Sequence, residues 1–179
     1  MTALLLVVLA WAPKNTDVHA KDLASQPTRT HSTHFEKLGG AITITLPKIY
    51  VPAPYSGDVS KTKPIPAEAC EEGLCSLSFH AETLALPTFS IRSASMPKAG
   101  STNFGHGEWK CADGRCVAEY RKVGGCCAAT EIAVAREVSK GKALICVGSM
   151  DVPRSDDSPT VVEWITSVCD GIVFKPDAK

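Results

Sequence analysis

Apolar and polar residues alternate strictly in a few short stretches of this chain and lose that order between them. Ala41-Ile42-Thr43-Ile44-Thr45-Leu46 sets β-branched or apolar residues at every second position, the period of a strand with one face on a core. Pro47 closes it. In Ser76 to Leu84, Leu77, Phe79, Ala81 and Thr83 share one face of an extended strand, and His80 and Glu82 share the other. A further strand is expected from Thr88 to Ser93. Trp109 to Tyr120 reads as a hairpin, because Asp113-Gly114 supplies two residues that tolerate positive φ between two strand-like arms.

Beyond Gly124-Gly125 the pattern changes. From Cys127 to Val138, Ala128, Ile132, Ala135 and Val138 recur at three- and four-residue steps, which predicts a helix with Gly141 as its left-handed cap. Ala143-Leu-Ile-Cys-Val147 is continuously apolar, as a strand covered on both faces is, and is expected at the centre of a sheet. Ser158 as N-cap and Pro159 at the first helical position open a second helix, with Asp156 and Asp157 near its positive end. Its buried stripe is Val161, Ile165, Val168 and Cys169, with Val162 alongside. Gly171 ends it, and Ile172-Val173-Phe174 is an edge strand. Together these elements predict an α+β domain over residues 40–175, an antiparallel sheet with two main helices packed on it and stabilised by disulfides. Residues 21–39, polar and with little to bury, read as a flexible leader, and 176–179 as a tail.

Composition narrows the compartment and the partner. Ala3 to Ala12 is an apolar run of signal-peptide length, stopped by Pro13 and followed by the small-residue positions Val18-His19-Ala20, so residues 1–20 are expected to direct export, the mature chain starting at Lys21. No integral membrane segment is expected after cleavage. Nineteen basic residues balance nineteen acidic ones, which argues against a nucleic-acid partner. Eight cysteines behind an export signal imply disulfides in a periplasmic or secreted protein. Spacing around Gly114 pairs Cys111 with Cys116, and the same spacing around Gly73 pairs Cys70 with Cys75. A bond between the neighbours Cys126 and Cys127 would strain the intervening peptide. They are therefore expected to reach separately to Cys146 and Cys169, in an order that spacing leaves open.

A strand closed by proline (Ile42 to Pro47), a late central strand, and a helix running into a short strand (Trp164 to Phe174) resemble the plan of PsbP-like proteins, small exported accessory domains. The resemblance implies a binding or assembly role without chemistry.

Each candidate for chemistry has a plainer reading. His80-Ala-Glu82 and His106-Gly-Glu108 could together hold a metal, but zinc deaminases that begin with such a triplet also need a Pro-Cys-x-x-Cys pair, which the chain lacks. A solvated polar strand face accounts for them. His31 and His34 in the leader read as solvated rather than as ligands. Ser149 lacks the second glycine of a nucleophile elbow. Cys126 and Cys127 at a helix start could form a thiol-redox or soft-metal site. The reading favoured by these residues is an exported, non-catalytic binding protein without cofactor or metal, acting on another exported protein as an inhibitor, immunity-type or envelope assembly factor. Its contact is expected from the loops Ile49 to Pro66 and Lys98 to His106, with Tyr50, Tyr55, Asn103 and His106 as binding residues. The alternatives are the thiol or soft-metal protein and a metal-dependent enzyme built on the His-x-Glu triplets.

Overall fold

The computed structural model describes residues 20–35, 38–52, 69–71, 74–81, 86–102, 107–122, 128–152 and 159–178. All of the expected signal segment but Ala20 and most of the proline-rich loop lie outside them, as do Tyr55, Glu82, Asn103, His106, Cys126, Cys127, Asp156, Asp157 and the expected helix cap Ser158. Among the described residues no helix is long and apolar enough to cross a membrane.

The described chain is mostly β. A 3₁₀ turn (Ala20–Ser25) leads into β1 (Thr28–Phe35), β2 (Gly40–Pro47), β3 (Tyr50–Pro52), β4 (Ala69–Glu71), β5 (Leu74–Ala81), β6 (Thr88–Ser95), β7 (Lys110–Ala112), β8 (Arg115–Lys122), β9 (Ala128–Ser139) and β10 (Lys142–Val152). One helix, α1 (Pro159–Asp170), and the strand β11 (Val173–Pro176) follow. Strands β1-β2-β11 form a small antiparallel sheet. The rest form a large one in the order β3-β5-β6-β10-β9-β8-β7, with β4 paired to β5. The expected sheet with two helices packed on it is thus replaced by two sheets and a single helix.

The missing helix is β9. Thr130, Ile132, Val134 and Val138 sit on the face toward α1, and Glu131, Ala133, Ala135 and Glu137 on the other. Residues 132 to 135 are all buried, because both faces of this strand are covered, so hydropathy shows no period of two. The alanines then happen to match a helical stripe. β-branching at every second position was the signal that told otherwise. Gly141, at φ 75°, turns the β9–β10 hairpin rather than capping a helix.

The stretch read as a flexible leader is also structured. Leu23 and Phe35 are buried, and β1 pairs along its whole length with β2. Its polar look follows from its outward face, where Thr30 meets Thr45 (Oγ1 to Oγ1 3.2 Å) and Ser32 meets Thr43 (3.0 Å). His34, on the same face, bonds the carboxylate of Asp177 at 2.9 Å.

One core is shared by the inward faces of both sheets and the buried stripe of α1, including Ile42, Ile44, Leu46, Phe79, Phe89, Ile91, Ile132, Leu144 and Ile165. The other side of the large sheet carries a second cluster, where Trp109 lies with Cys116, Ala118, Ala133, Ala135, Ala143 and Ile145. Helix α1 is held at its C-terminal end by two arginines that face each other across β8 and β9. Arg115 forms a two-bond ion pair with Asp170, at 2.8 Å each. Arg136 donates to the carbonyls of Asp170 and Ile172, the groups a helix end leaves without partners.

Cysteine pairing departs from expectation in one respect. Cys111–Cys116 closes the β7–β8 hairpin, with Asp113 and Gly114 at positive φ in its turn. Cys146, however, bonds Cys169, with their Cα atoms 5.5 Å apart, so neither takes Cys126 or Cys127. The geometry explains it: Cys146 faces α1 from the central strand, and Cys169 is on the helix stripe that lies against it. Cys70 and Cys75 are directly opposite in the β4–β5 register. Bonds of this kind belong to an oxidising, extracellular-type compartment.

Candidate functional site

Side chains that share the outer face of the large sheet change character along the strands. Near the β9–β10 turn they are small and apolar, and Met96 and Trp109 lie on them. Cys111 and Cys116 direct their sulfurs at the carbonyl of Pro97. Gly107 approaches β8 so closely that a Cβ there would stand 2.8 Å from the carbonyl oxygen of Glu119 and 3.5 Å from the Ala118 methyl. This is why alanines occupy the sheet below: larger residues would lift Gly107 and Trp109 off.

Past Ala118, Ala133 and Val147 the outer face becomes polar. In the next rank, Ser149 of β10 stands opposite both Thr88 of β6 and Glu131 of β9, and Glu131 stands opposite Tyr120 of β8. His80 of β5 extends the line, one step beyond the Phe79 and Phe89 pair. Five side chains from five adjacent strands therefore lie in one row, about 4.8 Å apart per strand. Behind them Ser78 and Ser90 are a register pair, and Ser90 is opposite Val147. Ser78, Phe79, His80, Thr88, Phe89, Ser90, Val147 and Ser149 line a cleft of about 260 Å³.

The hydrogen bonds within the row are long. Thr88 Oγ1 donates to the Ser149 carbonyl at 3.3 Å, and Ser149 Oγ stands 3.5 Å from Glu131 Oε1. Hydroxyl donors normally approach to 2.5–3.0 Å, so these contacts of Thr88, Ser149 and Glu131 with one another are weak. The order also limits the chemistry. His80 and Ser149 are separated by the whole width of β6, about 10 Å between strand axes, whereas a general base must lie within about 3 Å of its nucleophile. At that spacing His80 and Ser149 do not form a base–nucleophile pair.

The residues singled out by sequence are scattered. Tyr50, expected at an exposed contact, is fully buried. Its pairing with Ala81 turns the ring inward, where it meets Phe89 edge-on with centroids 5.6 Å apart and lies 6.2 Å from Trp164. Burial pushes its phenol far above the ordinary range, and the hydroxyl has no hydrogen-bond partner among the described residues. His80 of the first His-x-Glu triplet lies on β5, while Glu108 of the second adjoins Gly107 over β8, four strand spacings or about 19 Å away. These two are not brought together. Among the described residues no group of three His, Cys, Asp or Glu side chains could hold a metal ion. Lys98, Ala99 and Gly100 do form an exposed turn, in which Gly100 N–H donates to the Trp109 carbonyl at 2.9 Å. The sequence reading missed Thr88, Ser90 and Glu131. Their signal was the run of hydroxyls at alternate positions in neighbouring strands, which an emphasis on apolar faces passes over.

Among the described residues, fold and cleft define a disulfide-bonded β protein with a cleft flanked by a polar row on the outer sheet face. A scan against protein-family models matches no family, and a search of curated proteins finds no match to the chain.

Proposed function

We propose that this is an exported, periplasmic or secreted, binding protein without chemistry of its own, which acts on another exported protein as an inhibitor, immunity-type or envelope assembly factor. The observation that carries it is the spacing in the polar row, which sets His80 two strand spacings from Ser149, too far for the imidazole to act as a base on that hydroxyl. The disulfides support the compartment. The resemblance of residues 42–47 and 164–174 to PsbP-like accessory domains points to the same non-catalytic role. The exposed turn at Lys98, Ala99 and Gly100 is the described part of the contact. A photo-crosslinking residue at Ala99, compared with one at Ser32 on the small sheet, tests this in the exporting host. A single protein crosslinked from position 99 and not from position 32 is the expected outcome. Equal or absent crosslinking from both would refute the contact.

A second reading is favoured by the Cys146–Cys169 bond, which removes the structural partners expected for Cys126 and Cys127. Cys70 and Cys75 stand opposite each other and can satisfy themselves. The adjacent pair would then serve as a thiol-redox or soft-metal site. Alkylation of the exported protein without reductant distinguishes the two: label on Cys126 and Cys127 supports the thiol reading, and unlabelled cysteines throughout leave the binding reading.

A further inference from the structure

The polar row has a shape and chemistry that select a ligand class, and this inference goes beyond a protein partner. We infer that the cleft at His80, Thr88, Ser149 and Glu131 binds a neutral glycan laid across the strands, with one sugar ring in the cleft and the chain continuing along the row toward Tyr120.

Three observations carry it. First, the row presents one side chain per strand at a spacing of about 4.8 Å, comparable to the length of a sugar ring in an extended glycan. Each ring can then meet one strand's side chain. Second, the groups match a sugar's two kinds of surface. Ser78, Ser90, Thr88 and Ser149 offer hydroxyls that both donate and accept, and Glu131 accepts from hydroxyls, its bond to Ser149 being long at 3.5 Å. Val147 in the lining, and Tyr120 at the far end, offer apolar surface to the C–H face of a ring. Third, the lining carries no Lys, Arg, Asp or Glu, and the carboxylate at its border is Glu131. An anionic ligand such as a phosphate would meet repulsion there and no cation in the lining to offset it. A peptide is disfavoured for another reason. These positions lie on a sheet face whose main-chain groups are already paired in the ladder, whereas an extended peptide gains most by adding to an edge. The volume, about 260 Å³, falls just below that of pockets for drug-sized ligands and fits a single ring.

The test is amide NMR of the oxidised protein titrated with cellotriose, maltotriose and tri-N-acetylchitotriose as uncharged probes, with trialanine and inorganic phosphate as controls. Shifts at residues 78–80, 88–90, 120, 131 and 147–149 with at least one trisaccharide are expected, and with neither control. Glu131→Gln and Ser149→Ala should each weaken that binding by about tenfold, the loss of one hydrogen bond to a charged group or of one neutral bond. No shift with any trisaccharide at millimolar concentration, shifts confined to other residues, or the same shifts with trialanine or phosphate would overturn the proposal. If a variant does not fold, the shift map of the unaltered protein decides alone. Crosslinking from Ala99 reads a different surface, so either result can fail without the other.

Discussion

Ile165 fills the space where Gly148 would carry a side chain. A Cβ on Gly148 would overlap the Cγ2 methyl of Ile165 and come within 3.3 Å of its Cβ and Cγ1. One helical turn on, Cys169 is bonded to Cys146, two residues back along β10. Four helical residues rise about 6 Å and two strand residues about 6.8 Å, so the two contacts keep step and seat α1 along the central strand.

Gly148→Ala is therefore expected to destabilise the fold by about 1–3 kcal/mol, the usual range for an overfilled core. Ile165→Ala alone should cost about 2–5 kcal/mol by leaving a cavity. Combined, the two should cost less than their sum, because each relieves what the other creates. Urea denaturation of the four proteins measures the coupling, and strict additivity would refute the contact.

Replacing Cys146 and Cys169 by alanine opens a loop of 23 residues, worth about 3 kcal/mol on the chain-entropy argument. The same change at Cys111 and Cys116 opens a loop of 5 residues and should cost about 2 kcal/mol. Thermal melts of the two double variants should rank in that order. The reverse ranking would show that the hairpin bond is the more important constraint.

The buried phenol of Tyr50 makes a separate case. Its ring is packed between Phe89 and Trp164, but its hydroxyl is without a partner among the described residues. Tyr50→Phe keeps the packing and removes an unsatisfied polar group, so it should leave stability unchanged or raise it by about 1 kcal/mol. A loss of more than about 1 kcal/mol would mean that the hydroxyl is bonded after all.

His31 lies against Phe79, with ring centroids 5.0 Å apart. Burial first, and the charge of Arg29 second, hold its imidazole below the ordinary value of 6.5. The unfolded chain binds a proton there before the folded one does. Its contribution to stability is thus present above pH 6.5, declines as pH falls toward the folded value, and is lost below it. Stability measured from pH 7.5 down to about 4.5 should fall more steeply in the unaltered protein than in His31→Gln across the region where histidine titrates. Parallel profiles would show that His31 is not the group responsible.

How far the sequence can be read depends on which faces are covered. β2, β5 and β6 were legible because polar residues alternate with buried ones, and α1 because its buried stripe is local. β9 was not, since Ala133 and Ala135 on its outer face are buried in the cluster with Trp109, which removes the polar half of the pattern. β1 failed for the opposite reason: Phe35 is its one fully buried side chain, and the hydroxyl pairs with β2 that hold its outward face are visible only once the strands are side by side. The same applies to the polar row, whose five members come from five separate strands. Cys146 with Cys169 could have been found from their positions on a central strand and a helix stripe, had the adjacent pair not seemed to need them.

The middle position of β2 in the small sheet has a consequence for how the protein is made. Its partners are β1, a few residues earlier, and β11, more than a hundred residues later. During synthesis the β1–β2 hairpin must wait through nearly the whole large sheet before Val173 and Phe174 arrive to complete its third strand. Because loop closure over such a separation slows folding, completion of this sheet belongs among the last events. The hairpin's polar, threonine-bearing outer surface is what lets it wait in water without sticking to other chains.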